Sequence, residues 1–172
     1  GYWSILMVHK DSPLKSIEDV KKKKAELNLG FGDPKSTSGT LVPGYYAFQL
    51  NGIDPARDFK AVIRSNHETN LLAVATRQVD LATNNNESLD RLRASQPQRA
   101  ALLREIWRSP LIASDPLVWR KDLPENVKHA IRDFFVAYGT GTETEKKNLK
   151  NLGLSGFQVS GNQQLLPYRQ LR

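Results

Sequence analysis

Residues 32–40 read Gly-Asp-Pro-Lys-Ser-Thr-Ser-Gly-Thr and lie between a predicted strand and a predicted helix. The apolar run before them, residues 27–32, predicts the strand. Ser36, Thr37 and Ser38 therefore place three hydroxyl side chains where the helix begins. Backbone N–H groups at a helix N-terminus are unpaired and carry about half a positive charge. The segment predicts a site for a phosphate-like or carboxylate anion, although a single hydroxyl acting as an N-cap is the plainer interpretation.

Outward from this segment, strands and helices alternate, which is typical of an α/β fold with a mainly parallel sheet. The predicted strands are residues 2–9, 27–32, 59–64, 79–83, 105–108 and 117–119. The predicted helices begin at Ser16, after Ser38, and near Glu68, Asn86, Pro97, Pro124 and Thr142, with a last helical turn near Gln163. The helix after Ser38 is predicted to end at Asn51-Gly52, with Pro43 interrupting it or marking its proper start.

Polar residues follow three of the predicted strands. Ligands in such sheets bind beyond the carboxyl ends of the strands. The hydroxyl segment follows strand 27–32, His67 follows strand 59–64, and Glu87 follows strand 79–83. We therefore expect these three loops to open on the same edge of the sheet.

This arrangement predicts a cleft for a ligand with an anionic head and a cationic tail. Residues 36–40 would bind the oxygens of a phosphonate or phosphate, and His67 would donate a further hydrogen bond, more strongly if protonated. Glu87 and Asp115, which are acids near strand ends, would hold an ammonium group. Each residue also has an ordinary interpretation: a capping or surface histidine, a first-turn acid and a turn residue before a proline.

Two other classes of function stay open. Ser36 or Ser38 with His67 would supply the residue types of a serine hydrolase, but Ser-Thr-Ser-Gly is not the Gly-x-Ser-x-Gly turn of such enzymes. The run from Lys21 to Lys24 and the net charge of +7 raise the possibility of nucleic-acid binding. A solvated helix face explains that run better, so we expect no nucleic-acid partner.

The composition sets further limits. A chain of 172 residues suits one domain or parts of two, and 39% hydrophobic with 25% charged residues is typical of a soluble globular protein. The absence of cysteine excludes disulfides and thiolate chemistry, and the three histidines are scattered, so we predict no metal site and no cofactor. No apolar stretch is long enough to span a bilayer, so we expect no membrane insertion.

Four ordered motifs carry a resemblance to a known family. They are Gly-Asp-Pro-Lys-Ser-Thr-Ser-Gly-Thr-Leu-Val-Pro-Gly-Tyr-Tyr (32–46), His-Glu-Thr-Asn (67–70), Ala-Thr-Asn-Asn-Asn-Glu-Ser-Leu-Asp (82–90) and Ser-Asp-Pro-Leu-Val-Trp-Arg (114–120). Together they resemble the phosphonate-binding periplasmic proteins of ABC transporters, over essentially the whole chain. The resemblance implies a periplasmic location, an alkylphosphonate ligand such as 2-aminoethylphosphonate, a membrane permease as partner, and no catalysis.

The resemblance also implies a type II periplasmic binding protein architecture, with two α/β lobes joined by crossover strands. Residues 1–9 would be one crossover strand, residues 10–109 the second lobe, residues 110–119 the return strand, and residues 120–172 C-terminal helices of an incomplete first lobe. The beginning of the family's pattern, including its signal peptide, would be absent from this sequence.

Site residues follow from the resemblance by position. The matching residues are Ser36, Thr37 and Ser38 for the phosphonate oxygens, His67 for a further phosphonate contact, Glu87 and Asp115 for the ligand's amino group, and Tyr2 for an aromatic contact at the crossover. Another oxyanion, such as phosphate, phosphite or a phosphate ester, is the alternative ligand.

Overall fold

The computed structural model describes residues 1–171 and divides into two compact units. The first unit comprises residues 1–114 together with the chain from residue 167 onward, and the second comprises residues 115–166. Among the residues described, no helix is both long enough and apolar enough to cross a bilayer.

The first unit alternates strands and helices, as predicted. Its strands are β1 (Ser4–His9), β2 (Asn28–Phe31), β3 (Ala61–Arg64), β4 (Leu81–Asn85) and β5 (Leu103–Arg108). Its α-helices are α1 (Ile17–Lys23), α2 (His67–Ala75), α3 (Asn86–Ser95) and α4 (Pro97–Ala100). Other winding occurs in the 3₁₀ segments Lys24–Glu26 and Gln49–Asn51 and the π-helical segments Thr37–Leu41 and Gly44–Phe48.

The five strands form one mixed sheet in the order β3-β2-β4-β1-β5. Strand β2 is parallel to both β3 and β4, whereas β1 is antiparallel to both β4 and β5. Four strands therefore point one way and β1 points the other. The predicted α/β fold is confirmed, but the sheet is mixed and not mainly parallel, because β1 makes antiparallel pairs with both of its neighbours. Ser4 is opposite Asn85 in the pairing of β1 with β4. The beginning of β1 consequently lies at the edge where β4 ends.

Strand β1 is buried on both faces, which places it inside the fold. Leu6 and Val8 belong to one apolar cluster with Phe48, and Ile5 and Met7 belong to a second cluster. Alternate residues of a strand point to opposite faces, so β1 separates the two clusters.

The division of the chain that the family resemblance implies stays a prediction. It comprises a crossover strand (residues 1–9), the second lobe (10–109), a return strand (110–119) and the C-terminal helices (120–172).

The helix after the hydroxyl segment forms, but its winding is irregular. It continues from residue 37 to residue 51 through Pro43, and Gly52 ends it with a positive φ of 69°. Proline removes a backbone donor from the interior of a helix. The wider π turns on both sides of Pro43 accommodate this loss, and such turns are frequent at functional sites.

The second unit contains α5 (Glu125–Ala137) and α6 (Glu143–Asn151), as the sequence predicts. Thr142 and Glu145 form a reciprocal capping box at the start of α6. Near the C-terminus follow a 3₁₀ turn, Asn162–Leu165, and the short helix α7 (Leu166–Arg169), where a helical turn was predicted.

The prediction of a strand at residues 117–119 is wrong. These residues have no regular structure, and the side chains of Leu117 and Val118 are 60% and 83% exposed. A strand needs a pairing neighbour, and β-propensity alone does not supply one. The described residues contain no strand that pairs with 117–119.

Candidate functional site

The hydroxyl segment closes on itself through backbone contacts. Gly32 N–H donates to the Gly39 carbonyl at 3.0 Å, and the Thr40 hydroxyl lies 3.0 Å from the Gly32 carbonyl oxygen and 2.8 Å from that of Asp33. A Cβ on Gly32 would lie 2.6 Å from the Gly39 Cα. The two glycines are therefore required for this close approach, which fixes the shape of the loop.

The helix N-terminus in this loop retains two backbone donors. Ser36 is the N-cap, and its hydroxyl oxygen accepts from Gly39 N–H at 3.0 Å. The N–H groups of Thr40 and Leu41 both donate to the Ser36 carbonyl. Those of Thr37 and Ser38 have no hydrogen-bond partner within residues 1–171. Such unpaired donors favour an anion, so the capping interpretation holds for Ser36 and leaves the anion interpretation intact.

Ser38 connects the loop to the rest of the site. Its side chain is 3% exposed, and its Oγ lies 3.3 Å from His67 Nε2 and 3.2 Å from Asn85 Nδ2. The Ser4 hydroxyl donates to the Ser38 carbonyl at 2.7 Å. The structure therefore brings together Ser38 and His67, which are 29 positions apart in the sequence.

Three successive residues at the end of β4 hold the parts of this site in place. The Thr83 hydroxyl donates to the Gly39 carbonyl at 2.6 Å, and Asn84 Nδ2 donates to the His67 carbonyl at 2.8 Å. Asn85 completes the set through Ser38. Sequence reasoning missed these residues as part of the site. The available signal was a run of three asparagines after a strand predicted to be buried, because buried amides require hydrogen-bond partners.

His67 is the first residue of α2, and its surroundings disfavour the protonated form of its imidazole. Burial, and secondarily the positive charge of Arg91, lowers the pKa of the His67 imidazole below its ordinary value of 6.5. Its Nδ1 atom is buried and has no partner among the residues described. A neutral imidazole offers one N–H, so the stronger, protonated donor considered from the sequence is disfavoured here.

We expect acidification to destabilise the chain through His67. Because the folded-state pKa is lowered, the unfolded chain binds more protons as the pH falls below about 6.5, and the free energy of unfolding decreases with it. The substitution His67→Gln should flatten this dependence between about pH 7 and pH 5. His129→Gln, which replaces an exposed histidine, serves as the control. Denaturant unfolding at several pH values measures this, and an equally steep decrease in His67→Gln would contradict the expectation.

Glu87 and Tyr2 are placed at the same edge of the sheet by contacts between their neighbours. Glu87 is exposed in the first turn of α3. The preceding residue, Asn86, forms two hydrogen bonds with the backbone of Trp3. Its Oδ1 accepts from Trp3 N–H at 2.7 Å, and its own N–H donates to the Trp3 carbonyl at 3.2 Å. Tyr2 pairs with Ile112 through backbone hydrogen bonds. The hydroxyl segment and His67 contact the end of β4, which leads directly into the helix that carries Glu87. The expectation that these three loops share one edge agrees with this geometry.

Asp115 belongs to the other unit. It is the first residue of that unit and is exposed. The first unit thus contains the other six residues proposed from the sequence, which are Tyr2, Ser36, Thr37, Ser38, His67 and Glu87.

The fold and the loop define the class of protein as an α/β lobe of the periplasmic substrate-binding kind. A binding protein component of an ABC phosphonate transporter from Pseudomonas aeruginosa has the same fold, with a TM-score of 0.90 and 51% identity over 99% of this chain. Residues 1–165 match the family described as ABC transporter, phosphonate, periplasmic substrate-binding protein. The chain belongs to this family, which is one of transport proteins and not of enzymes.

Two further proteins resemble this chain, one in sequence and one in fold. The phosphonates-binding periplasmic protein of Escherichia coli K12 is 53% identical over 171 residues, which are 99% of this chain and 50% of that protein. A Prochlorococcus marinus protein solved in complex with methylphosphonate shares the fold, with a TM-score of 0.83 at 21% identity over 99% of this chain and 65% of the other. This chain spans 56% of the Pseudomonas protein. It thus covers about half the length of both the Pseudomonas and the Escherichia coli proteins.

Proposed function

We propose that this chain is part of the substrate-binding component of a phosphonate ABC transporter and that it binds an alkylphosphonate such as 2-aminoethylphosphonate. The observation that carries the proposal is the pair of unpartnered N–H groups at Thr37 and Ser38, beside the buried Ser38 hydroxyl. A fully ionised phosphonate group presents only acceptor oxygens and negative charge, and hydrogen bonds to a charged group contribute about 1.5–3 kcal/mol each.

Each part of the ligand has proposed partners. Ser36, Thr37, Ser38 and His67 serve the phosphonate oxygens, Glu87 and Asp115 serve the ammonium group, and Tyr2 contacts the ligand near the crossover. The exposure of Glu87 supports its role, because an exposed carboxylate keeps its charge available for a ligand cation.

Transport requires a conformational change that depends on the ligand. Ligand bound between the lobes of the complete protein stabilises the closed form, and a membrane permease in turn recognises that form in the periplasm. The ligand shifts this equilibrium only as far as it binds the closed form more tightly than the open form.

The contact between Ser38 and His67 favours one alternative, a serine hydrolase. In that chemistry a carboxylate holds the second nitrogen of the histidine. His67 Nδ1 has no such partner in the described part of the chain. Covalent labelling of Ser38 by a fluorophosphonate would support the hydrolase.

Calorimetric titration tests the proposed function. We expect the complete protein that contains this chain to bind methylphosphonate and 2-aminoethylphosphonate more tightly than phosphate, phosphite or a phosphate ester. Ser38→Ala should weaken methylphosphonate binding about tenfold, because one charge-assisted hydrogen bond is lost. Ser95→Ala removes an exposed hydroxyl at the end of α3 and serves as the control. Tighter binding of phosphate than of either phosphonate would replace the proposed ligand.

A further inference from the structure

We infer that Asn85 is a positioning residue that fixes the direction of the hydrogen bonds at Ser38, so that the Ser38 hydroxyl donates its hydrogen to the anion. This inference rests on the proposed function and extends it to a residue outside the proposed set of ligand contacts. Asn85 is the last residue of β4 and is 7% exposed.

The orientation of the Asn85 amide is set by the helix that follows it. Its Oδ1 atom accepts a hydrogen bond from Ser88 N–H at 2.8 Å, and Asn85 is thereby the N-cap of α3. The N–H of Ser88 requires an acceptor, so the amide cannot be turned end for end without losing the cap. Its Nδ2 group therefore faces Ser38 Oγ, at 3.2 Å, as a donor.

This contact determines what the Ser38 hydroxyl can do. A hydroxyl has one hydrogen to donate and two lone pairs to accept with. Because Asn85 occupies a lone pair, the hydrogen of Ser38 stays available. Within residues 1–171, the one other side-chain atom within hydrogen-bond distance of Ser38 Oγ is His67 Nε2, at 3.3 Å. If Nε2 carries the imidazole hydrogen, it cannot accept one from Ser38, and if it does not, it is a neutral acceptor. In both cases an anion oxygen is the better partner for the serine hydrogen.

The same side chain also joins the two parts of the proposed site. Asn85 caps α3, and Glu87 lies two residues farther along, in the first turn of that helix. The Nδ2 group of Asn85 contacts Ser38 in the hydroxyl segment. One buried amide thus fixes both the start of the helix that carries Glu87 and the donor direction in the loop.

The substitution Asn85→Asp tests this role with little change of shape. One carboxylate oxygen can still cap α3, since aspartate is as good an N-cap as asparagine. The other oxygen becomes an acceptor facing Ser38, so the serine hydrogen turns toward residue 85 and away from the anion. The matched control is Asn66→Asp, which adds the same charge at the N-cap of α2, where Asn66 accepts from Thr69 N–H at 2.8 Å.

Titration with methylphosphonate should show about a tenfold larger loss of affinity for Asn85→Asp than for Asn66→Asp. In a Ser38→Ala background this excess should disappear, because no hydroxyl is left to redirect; a double-mutant cycle measures this coupling. Asn85→Ser keeps a capping oxygen but lacks the amide donor, and should bind several-fold more weakly than the wild type. It provides the test if the aspartate variant does not fold.

Two outcomes would count against the proposals in different ways. Equal losses for Asn85→Asp and Asn66→Asp, or an excess that persists in the Ser38→Ala background, would overturn the role of Asn85 alone. A complete wild-type protein, containing this chain, that does not bind methylphosphonate would overturn the proposed function and, with it, this inference.

Discussion

Gly32→Ala is expected to weaken methylphosphonate binding by about 100-fold, the equivalent of two lost charge-assisted hydrogen bonds of about 1.5 kcal/mol each. The new methyl group would lie 2.6 Å from Gly39 Cα and 2.7 Å from the Gly39 carbonyl carbon and oxygen. These are backbone atoms and cannot rotate away as a flexible side chain can. The loop must therefore shift, and the N–H groups of Thr37 and Ser38 shift with it.

The same substitution should also lower the free energy of unfolding, by about 1–3 kcal/mol, because overpacking displaces backbone and side chains. Gly44→Ala is the matched control. A Cβ on Gly44 would meet only Phe31 Cζ, at 3.9 Å, and alanine in a helical segment is preferred to glycine. Calorimetry and denaturant unfolding of both variants provide the measurements. Near-wild-type binding by Gly32→Ala would show that the loop does not bind the anion.

Glu87→Gln should weaken binding of 2-aminoethylphosphonate by roughly 10- to 150-fold, while methylphosphonate binding changes less than about twofold. The first ligand carries an ammonium group at the end of a two-carbon chain, and the second has a single methyl group in its place. A neutral amide at residue 87 keeps the size of the side chain but loses the charge that would attract the ammonium group. Competition titration with both ligands gives the two ratios.

Asp90→Asn is the control for the Glu87 experiment. Asp90 is an exposed acid of the same helix and pairs with Arg93 at 2.9 Å, so its replacement removes one negative charge without changing the first turn of α3. It should affect neither ligand by more than about twofold, since exposed ion pairs contribute little. Equal losses of both ligands in Glu87→Gln would mean that Glu87 does not hold the ammonium group.

The site was only partly predictable from the sequence. The hydroxyl segment and His67 were singled out because they follow predicted strands, and the rule for strand ends is a local one. Thr83, Asn84 and Asn85 were not found, since asparagines after a strand also fit an ordinary capping turn. The bonds from Thr83 and Asn85 to the loop span 44 and 47 residues of sequence, and periodicity carries no information at that separation.

By itself, the sequence determined where most strands and helices form and which loop carries the hydroxyls, because periodicity, capping and turn chemistry act within about one helical turn or one strand. Only the tertiary structure decided that β1 runs antiparallel inside the sheet, that residues 117–119 do not form a strand, and that the Asn85 amide contacts the Ser38 hydroxyl. These features depend on partners distant in the chain. Strand pairing and buried hydrogen bonds are settled by which groups meet when the core closes, and the local pattern leaves that choice open.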